Sequence, residues 1–378
     1  MVEIAAVLAL ALWLYLLAGR GGFWLAGERD DRPEPPAPAS WPAIVALIPA
    51  RDEAATIGQT LRSLLSQDYP GLEVIVVDDG SQDGTAAAAQ SAADARLTVL
   101  TGRPLPPGWT GKLWALKQGV DAASARRPKY LLSTDADIVY GASALKRLVA
   151  RAERQGTVLT SIMVKLNCAS FAERLMIPAF VFFFQMLYPF AWVNRPQRAT
   201  AAAAGGCMLV EASALAASGG IDGIRGALID DCALAKQMKS VGPIWLGLSE
   251  HVASIRRYDG FAPIRRMVTR SAYAELNYSP LRLAGTVLGM ALTFLAAPPL
   301  AIFVSGAPAL LGAGAWALMF IAYQPTLRLY RLSPLWGLAL PAIALLYTLW
   351  TVESALQYAR GRGGQWKGRV QAAPRGAR

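Results

Sequence analysis

Acidic side chains occur in four short stretches that follow one another along the chain. They are Pro49-Ala50-Arg51-Asp52-Glu53, Asp78-Asp79-Gly80-Ser81, Asp135-Ala136-Asp137 and Asp230-Asp231. A Mg²⁺ ion, or the similar Mn²⁺, is usually held by one or two carboxylates together with phosphate oxygens of a ligand. A carboxylate can also remove the proton from a reacting hydroxyl group. The four stretches therefore predict chemistry at a phosphate-bearing ligand, with a divalent metal and a general base.

The first three acidic stretches each follow a short apolar segment that is typical of a buried strand. These segments are residues 44–48, 74–77 and 130–133; another lies at 97–100, and helical patterns cover 54–66, 84–93 and 112–124. Apolar strands that alternate with helices indicate an α/β fold whose mostly parallel sheet is covered on both faces. Ligands of such sheets bind beyond the carboxyl ends of the strands, so we expect the carboxylates to meet in one crevice.

The spacing within each stretch suggests separate roles for its side chains. Asp135 and Asp137 lie two residues apart, so one carboxylate can reach a metal and the other a ribose or the water shell of the metal. Gly80 permits a tight turn that brings Asp78 and Asp79 close to a nucleoside. The alternatives are that Asp135-Ala136-Asp137 is a solvated turn and that Asp79 caps a helix near residue 84.

Residues later in the chain could complete such a site. Lys112 could neutralise a diphosphate, and Gly205 and Gly206 could let the backbone approach a sugar or an acceptor. Asp231 is the candidate general base, because Asp230 beside it would raise its proton affinity by repulsion between like charges. The alternatives are a solvated Lys112, a glycine turn without a ligand, and a helix cap formed by one of the two aspartates.

The composition indicates a membrane protein. Of 378 residues, 54% are hydrophobic and 17% are charged, and the net charge is +11. The basic residues concentrate near apolar segments, which favours anionic lipid headgroups over nucleic acid as their partner. A bilayer core needs about 20 apolar residues of helix. We therefore predict a retained anchor at residues 4–18, two spans within 283–324 and one span at 335–352.

These patterns predict five regions along the chain. They are an N-terminal anchor (1–27), a Pro-rich linker (28–42), a catalytic α/β domain (43–275), a C-terminal transmembrane region (276–356) and a basic tail (357–378). The aromatic stretch 171–193 could be an interfacial helix, the wall of an acceptor groove, a buried helix or a span. A zinc site is not expected, because Cys168, Cys207 and Cys232 lack zinc-site spacing and His251 is the only histidine.

The acidic stretches combine with three further patterns into a recognisable set. The further patterns are Gly111-Lys112-x-x-Ala115-x-x-x-Gly119, Gly205-Gly206-Cys207-Met208 and Ile229-Asp230-Asp231-x-x-Leu234-Ala235. Over roughly residues 43–275 the chain resembles family 2 glycosyltransferases of the GT-A fold. With its apolar flanks and the sequence Trp366-Lys367-Gly368-Arg369, it looks most similar to the hopanoid-biosynthesis-associated members.

The resemblance implies a role for each matching residue. Asp52, Glu53 and Asp79 would bind the nucleoside, with Asp78 beside them. Asp135 would bind the ribose and Asp137 the metal, and Asp231 would act as the base. Related members carry a Gln/Arg-x-x-Arg-Trp motif for the diphosphate and the acceptor. This chain instead has Arg266-Met267-Val268-Thr269-Arg270-Ser271, so Arg270 is a donor-site candidate with lipid-headgroup contact as its alternative.

The resemblance also implies the reaction and its location. We expect inverting transfer from a nucleotide sugar, a UDP-linked one, to a membrane lipid related to hopanoids, with Mg²⁺ or Mn²⁺. A polyprenyl phosphate or a polysaccharide as acceptor, and a non-catalytic nucleotide-binding scaffold, are the alternatives. The protein is expected to be multi-pass in a bacterial inner membrane, with its catalytic domain facing the cytoplasm. Three C-terminal crossings would then place the basic tail outside, against the positive-inside tendency, unless one segment is re-entrant.

Overall fold

Eight strands form a single mixed sheet in the computed structural model, which describes residues 1–31, 35–365 and 367–371. Their bounds are β1 Ile44–Ala50, β2 Leu72–Asp78, β3 Leu97–Thr101, β4 Tyr130–Thr134, β5 Ile138–Tyr140, β6 Leu159–Lys165, β7 Cys207–Glu211 and β8 Ile244–Ser254. Their order across the sheet is β3-β2-β1-β4-β7-β6-β8-β5. The predicted strands at 44–48, 74–77, 97–100 and 130–133 are confirmed, each with one or more additional residues.

The strand directions place the acidic stretches on one edge of the sheet. Strands β1 to β4 are parallel to one another, β7 runs antiparallel to β4, and β6 pairs parallel with β8. Because Thr134 at the end of β4 pairs with Cys207 at the start of β7, the segment that precedes β7 lies at the carboxyl end of β4. The expected mostly parallel α/β sheet is thus observed, with β5 and β7 as its antiparallel strands.

The described residues also form α-helices, some between the strands and others outside the sheet unit. They are α1 Val2–Gly19, α2 Ala54–Leu65, α3 Thr85–Gln90, α4 Gly111–Ser124, α5 Ala144–Gln155, α6 Phe171–Leu187, α7 Phe190–Val193, α8 Ala212–Ala217, α9 Asp230–Lys239, α10 Phe261–Glu275, α11 Pro280–Met290, α12 Ala297–Phe303, α13 Ala307–Leu329 and α14 Leu340–Ala359. Every residue of β1 is buried, as are all but one of β2. Burial on both faces explains why these strands show no polar alternation in sequence.

The chain divides into two compact units. The sheet unit comprises residues 28–167 and 190–257, and the helical unit comprises 1–27, 168–189 and 258–378. The helical unit therefore includes most of the stretch 171–193 and all of α10, both of which lie inside the predicted catalytic domain 43–275. The domain boundaries remain a prediction.

The start of the predicted linker is part of the sheet unit. Arg29 forms a parallel bridge with Leu248 of β8, and the N–H of Asp30 donates to the carbonyl of Leu248 over 2.9 Å. Arg151 stacks over Trp245 and donates to the carbonyls of Arg29 and Asp30. Residues 28–31 are thus hydrogen-bonded to the sheet. The remainder of the predicted linker includes residues 32–34, which lie outside the described residues.

Aromatic packing joins the helices of the helical unit. Phe183 packs edge-on against Phe294 and Tyr347, and the hydroxyl of Tyr347 donates to the carbonyl of Met176 over 2.9 Å. Trp13 of α1 donates from Nε1 to the carbonyl of Thr293 over 2.7 Å. These contacts bury one side of α6 within the unit.

Four helical segments in the described part of the chain are long and apolar enough to cross a membrane. They are Val2–Gly19, Phe171–Val193, Ala307–Leu329 and Pro334–Ala359. A fifth candidate is the pair Pro280–Leu295 and Ala297–Phe303, which is bent by 41° as a broken span or a re-entrant loop would be. Large apolar side chains on these elements are exposed, including Leu281, Phe303 and Leu310 at 83%, 82% and 76%. Such exposure is typical of lipid-facing surface.

Candidate active site

Lys112 joins two of the acidic stretches in the sheet unit. Its side chain begins in the first turn of α4, and Nζ lies 2.9 Å from Oδ1 of Asp135 and 3.2 Å from Oδ2 of Asp230. The side chain is 20% exposed. Burial lowers the pKa of Lys112, but Asp135 and Asp230 outweigh that effect and raise it above its usual value. The alternative of a solvated Lys112 is therefore wrong.

Asp231 is held by backbone N–H groups. The N–H of Gly205 donates to Oδ2 over 2.9 Å, and the N–H of Cys232 donates to Oδ1 over 2.8 Å. Helix α9 begins at Asp230 and has no side-chain cap. Neither aspartate is the N-cap residue of α9, which is Ile229, although Asp231 does accept from an N–H in the first turn of the helix.

The surroundings of Asp231 raise the proton affinity of its carboxylate. Burial and the neighbouring charge of Asp230 raise the pKa of Asp231 to about 6, while Lys112 and the two N–H donors act in the opposite direction. A carboxyl group with this pKa is largely ionised at neutral pH and still takes up a proton readily. The arrangement suits a general base.

Arg256 joins two other acidic stretches of the same unit. It follows β8, and its Nη2 donates to Oε1 of Glu53 over 2.7 Å while its Nε donates to Oδ2 of Asp137 over 2.9 Å. The hydroxyl of Ser254 donates to the same oxygen of Asp137 over 2.9 Å. Burial lowers the pKa of Arg256, whereas Asp137 and Glu53 raise it, and the net shift is upward.

Arg256 was not anticipated from the sequence. The Ile255-Arg256-Arg257 segment follows an apolar strand, which is the same signal that marked the acidic stretches. The place of β8 in the sheet could not be seen in the sequence, however, so nothing connected this cation to Glu53 or Asp137.

The loops after β1 and β2 hold each other by hydrogen bonds. The Asp52 N–H donates to Oγ of Ser81 over 2.9 Å, and Nη1 of Arg51 donates to the carbonyl of Asp79 over 2.5 Å. Gly80 has φ of 67°, so the predicted tight turn is confirmed. Helix α3 has Gly84 as its N-cap residue, with no side-chain cap, so Asp79 does not cap it.

Asp78 carries a buried oxygen that could serve a ligand. Its Oδ2 accepts from the Ser81 N–H over 3.4 Å. Its Oδ1 is buried and has no hydrogen-bond partner among the described residues. An unsatisfied buried acceptor at the carboxyl edge of a parallel sheet is consistent with a ligand hydroxyl or imide N–H as the missing donor.

The glycine pair lies close to other side chains of the sheet unit. A Cβ atom at Gly205 would lie 3.2 Å from Nζ of Lys112 and 3.4 Å from Oδ2 of Asp231. At Gly206 it would lie 3.1 Å from the side chain of Val164. Close approach of the backbone is therefore required at both positions, whether or not a ligand also uses it.

Two residues considered from sequence take no part in the contacts described above. Arg270 is on α10 in the helical unit, where its Nε is buried without a hydrogen-bond partner among the described residues. His251 lies within β8, and its carbonyl accepts from the Gly141 N–H over 2.7 Å.

Asp135 and Asp137 are the candidate ligands of the predicted metal ion. No group of three or more His, Cys, Asp or Glu side chains in residues 1–31, 35–365 and 367–371 is arranged to hold a metal ion. Asp135 and Asp137 nevertheless supply oxygen donors within one loop, and the side chain of Asp135 is 38% exposed. Since Mg²⁺ is commonly bound through one or two carboxylates with substrate phosphates and water, this pair fits such an ion when a diphosphate completes the ligands.

Comparison with protein families agrees with the fold and the motifs. Residues 45–218 match the family model described as Glycosyl transferase family 2. The chain contains a family 2 glycosyltransferase domain. The match includes Asp52, Asp79 and Asp137 but ends before Asp231, whose assignment therefore depends on the geometry above. The expected fold is confirmed, and the expected enzyme class is confirmed for this domain.

Two known proteins illustrate what the chain is similar to. Over 115 residues it is 35% identical to a 4,4'-diaponeurosporenoate glycosyltransferase of Staphylococcus aureus (strain MRSA252), covering 30% of this chain and 29% of that protein. The chain thus spans under a third of the length of the curated relatives it matches.

The structure of a mannosyltransferase from Pyrobaculum calidifontis, in complex with GDP-Man and Mn²⁺, aligns over 94% of this chain and 98% of its own, with 19% identity and a TM-score of 0.57. That likeness shows the fold alone.

Proposed function

We propose that this protein is an inverting, metal-dependent glycosyltransferase that transfers a sugar from a nucleotide sugar to a membrane lipid. The observation that carries the proposal is the environment of Asp231. Its carboxylate is fixed by two backbone N–H groups, and its pKa is raised to about 6. A binding module or scaffold would have no need of a carboxylate with tuned proton affinity.

The donor site is assigned to the carboxyl ends of β1, β2 and β4. Asp52, Glu53, Asp78 and Asp79 would bind the nucleoside, with the unsatisfied Oδ1 of Asp78 accepting from a hydroxyl or an imide N–H. Asp135 would bind the ribose. We propose further that the donor sugar is linked to UDP.

The chemistry follows from one base on the acceptor side. Asp231 would remove the proton of the acceptor hydroxyl as its oxygen attacks the anomeric carbon and the nucleoside diphosphate departs from the opposite face. A single displacement of this kind inverts the anomeric centre. Asp230 beside it is the alternative base or an acceptor contact, with Gly205 and Gly206 providing close approach of the backbone.

The metal proposal assigns Asp137, with Asp135 beside it, to Mg²⁺ or Mn²⁺. When bound, such an ion neutralises the charge that develops on the leaving diphosphate. The mannosyltransferase with the similar fold is described in complex with Mn²⁺, which supports the proposal by analogy.

A lipid acceptor is proposed because the chain carries several membrane-length apolar helices. A soluble acceptor would not require them. The S. aureus relative is named a 4,4'-diaponeurosporenoate glycosyltransferase, and as the finer class of acceptor we propose a hopanoid or a related isoprenoid. A polyprenyl phosphate or a growing polysaccharide is the alternative acceptor in the same fold.

We place the protein as a multi-pass protein of a bacterial inner membrane, with the sheet unit on the cytoplasmic side where nucleotide sugars are made. The 41° bend between Pro280–Leu295 and Ala297–Phe303 is compatible with a re-entrant segment there, and a broken span is the alternative. Two C-terminal crossings would then return the basic residues beyond 357 to the cytoplasmic side, in agreement with the positive-inside tendency. Trp366 and residues 372–378 of that tail lie outside the described residues.

Mass spectrometry of lipids tests the proposal. Cells lacking the gene are complemented with wild type, with Asp231→Asn, or with Asp222→Asn as a matched control whose side chain is 58% exposed. A glycolipid should appear with wild type and the control and be absent from the other two strains. Identical lipids in all strains would contradict a lipid acceptor, and loss of a carbohydrate polymer instead would favour the polysaccharide alternative.

A further inference from the structure

Arg256 uses only part of its guanidinium on the protein. Nε and Nη2 donate to Asp137 and Glu53, both of which are largely buried, with 8% and 10% of their side chains exposed. Within the described part of the chain, Nη1 donates to no protein group. The Arg256 side chain is 36% exposed. One edge of the guanidinium is therefore fixed, and the other is open.

The charges around Arg256 show why an anion would be bound there. The acidic residues at this edge of the sheet unit include Asp52, Glu53, Asp78, Asp79, Asp135, Asp137, Asp230 and Asp231. Among the described residues, Arg51, Lys112 and Arg256 form ion pairs with members of this group. Nζ of Lys112 is already shared between two carboxylates. Nη1 of Arg51 lies against Asp79. A diphosphate that binds at this edge would be repelled by the carboxylates unless a cation contacted it. Arg256 can be that cation, because its Nη1 donates to no protein group within the described part of the chain.

We propose that Arg256 binds the diphosphate of the nucleotide sugar through its open edge, while Asp137 and Glu53 hold the guanidinium in place. This inference rests on the proposed function, because it takes the nucleoside diphosphate as the ligand. The guanidinium is a planar fork that bonds phosphate oxygens in pairs, and orientation by two carboxylates lowers the entropy lost on binding.

The proposal gives the diphosphate a cation within the sheet unit. The resemblance had suggested Arg270, which is on α10 of the helical unit and lacks the spacing and the tryptophan of the related motif. Arg256 instead joins the first and third acidic stretches directly, because it pairs with Glu53 of the proposed nucleoside site and with Asp137 of the proposed metal site.

Ligand binding without a metal tests the role of Arg256. Affinities for UDP and uridine, and for GDP and guanosine, are measured by calorimetry in EDTA for wild type, Arg256→Gln and Arg256→Lys. The preferred diphosphate should bind Arg256→Gln roughly ten- to hundred-fold more weakly than wild type, with a smaller loss for Arg256→Lys. Affinity for the matching nucleoside should change less than about two-fold, because the nucleoside brings no phosphate to the open edge.

The control is Arg257→Gln, which removes the same charge from the neighbouring, exposed residue. It should bind both ligands like wild type. If Arg256→Gln bound the nucleoside and the diphosphate equally more weakly than wild type, Arg256 would only support Glu53 and the proposal would be wrong. Undiminished affinity of Arg256→Gln for the diphosphate would also overturn the proposal. If Arg256→Gln does not fold, Arg256→Lys is used instead, and its loss of affinity for the diphosphate is compared with its loss of affinity for the nucleoside. A wild type that binds neither UDP nor GDP, either in EDTA or with Mn²⁺, would instead contradict the proposed function itself.

Discussion

Two cations at the same edge of the sheet each join a pair of acidic stretches, but they do so in different surroundings. Lys112 lies between Asp135 and Asp230, next to a third carboxylate whose pKa is raised. Arg256 lies between Glu53 and Asp137, and part of its guanidinium is open.

The difference separates two tasks. An ammonium group is a compact point charge, so at Lys112 it adjusts the proton affinity of the neighbouring carboxylates. A guanidinium has several donors in fixed directions, so at Arg256 it can hold two carboxylates and still bind an anion. We infer that Lys112 with Asp135, Asp230 and Asp231 (the Lys112 cluster) serves the removal of the acceptor's proton. Arg256 with Glu53 and Asp137 (the Arg256 cluster) serves the binding of the diphosphate.

The largest expected effect is the loss of the base. Asp231→Asn should lower turnover by about 10²- to 10⁴-fold, the usual contribution of a positioned general base, while the donor still binds as in wild type. Steady-state kinetics and calorimetry with the donor check the two parts. Asp222→Asn should behave as wild type. Undiminished turnover in Asp231→Asn would move the role of base to Asp230 or elsewhere.

The next effect belongs to the Arg256 cluster. Asp137→Asn should abolish the gain in UDP affinity that Mn²⁺ gives the wild type, because the variant loses an anionic oxygen ligand. The loss in Mn²⁺ affinity should be at least about ten-fold. Calorimetry with and without Mn²⁺ measures it, and Asp68→Asn is the control because that side chain is 92% exposed. Full activity of EDTA-treated wild type would contradict any need for a metal.

A smaller effect is expected from Lys112. In wild type, kcat/KM should rise with pH through about 6 as Asp231 loses its proton. Lys112 favours the ionised form of Asp231, so Lys112→Met should raise the pKa of Asp231. The rising limb of the kcat/KM profile should then move to higher pH. Lys117→Met, on the same helix but paired with Asp121, should leave the limb in place. An unmoved limb in Lys112→Met would separate Lys112 from the proton chemistry.

Much of the sheet unit was predictable because its signals are local. The buried strands are continuous apolar runs, and each of the first three acidic stretches follows one of them. The rule that ligands bind at the carboxyl ends of parallel strands then brought Asp52, Asp79 and Asp137 to one edge. The tight turn at Gly80 could likewise be predicted from its residue type.

The remaining features depend on contacts between distant parts of the chain. Arg256 reaches Glu53 across 203 positions of sequence, and Lys112 reaches Asp230 only because α4 and α9 start at the same edge. Residues 28–31 looked like a spacer because their bridge partner, Leu248, lies far along the chain. Neither periodicity nor composition carries information of this kind.

The stereochemistry of the product tests the central claim most directly, because one base and one displacement can give only one outcome. An α-linked nucleotide sugar is supplied to the purified protein with its lipid acceptor, and the anomeric proton coupling of the product is measured. A β-linked product is predicted from a single displacement assisted by Asp231. An α-linked product would contradict the account, because it requires a retaining mechanism that this arrangement does not provide.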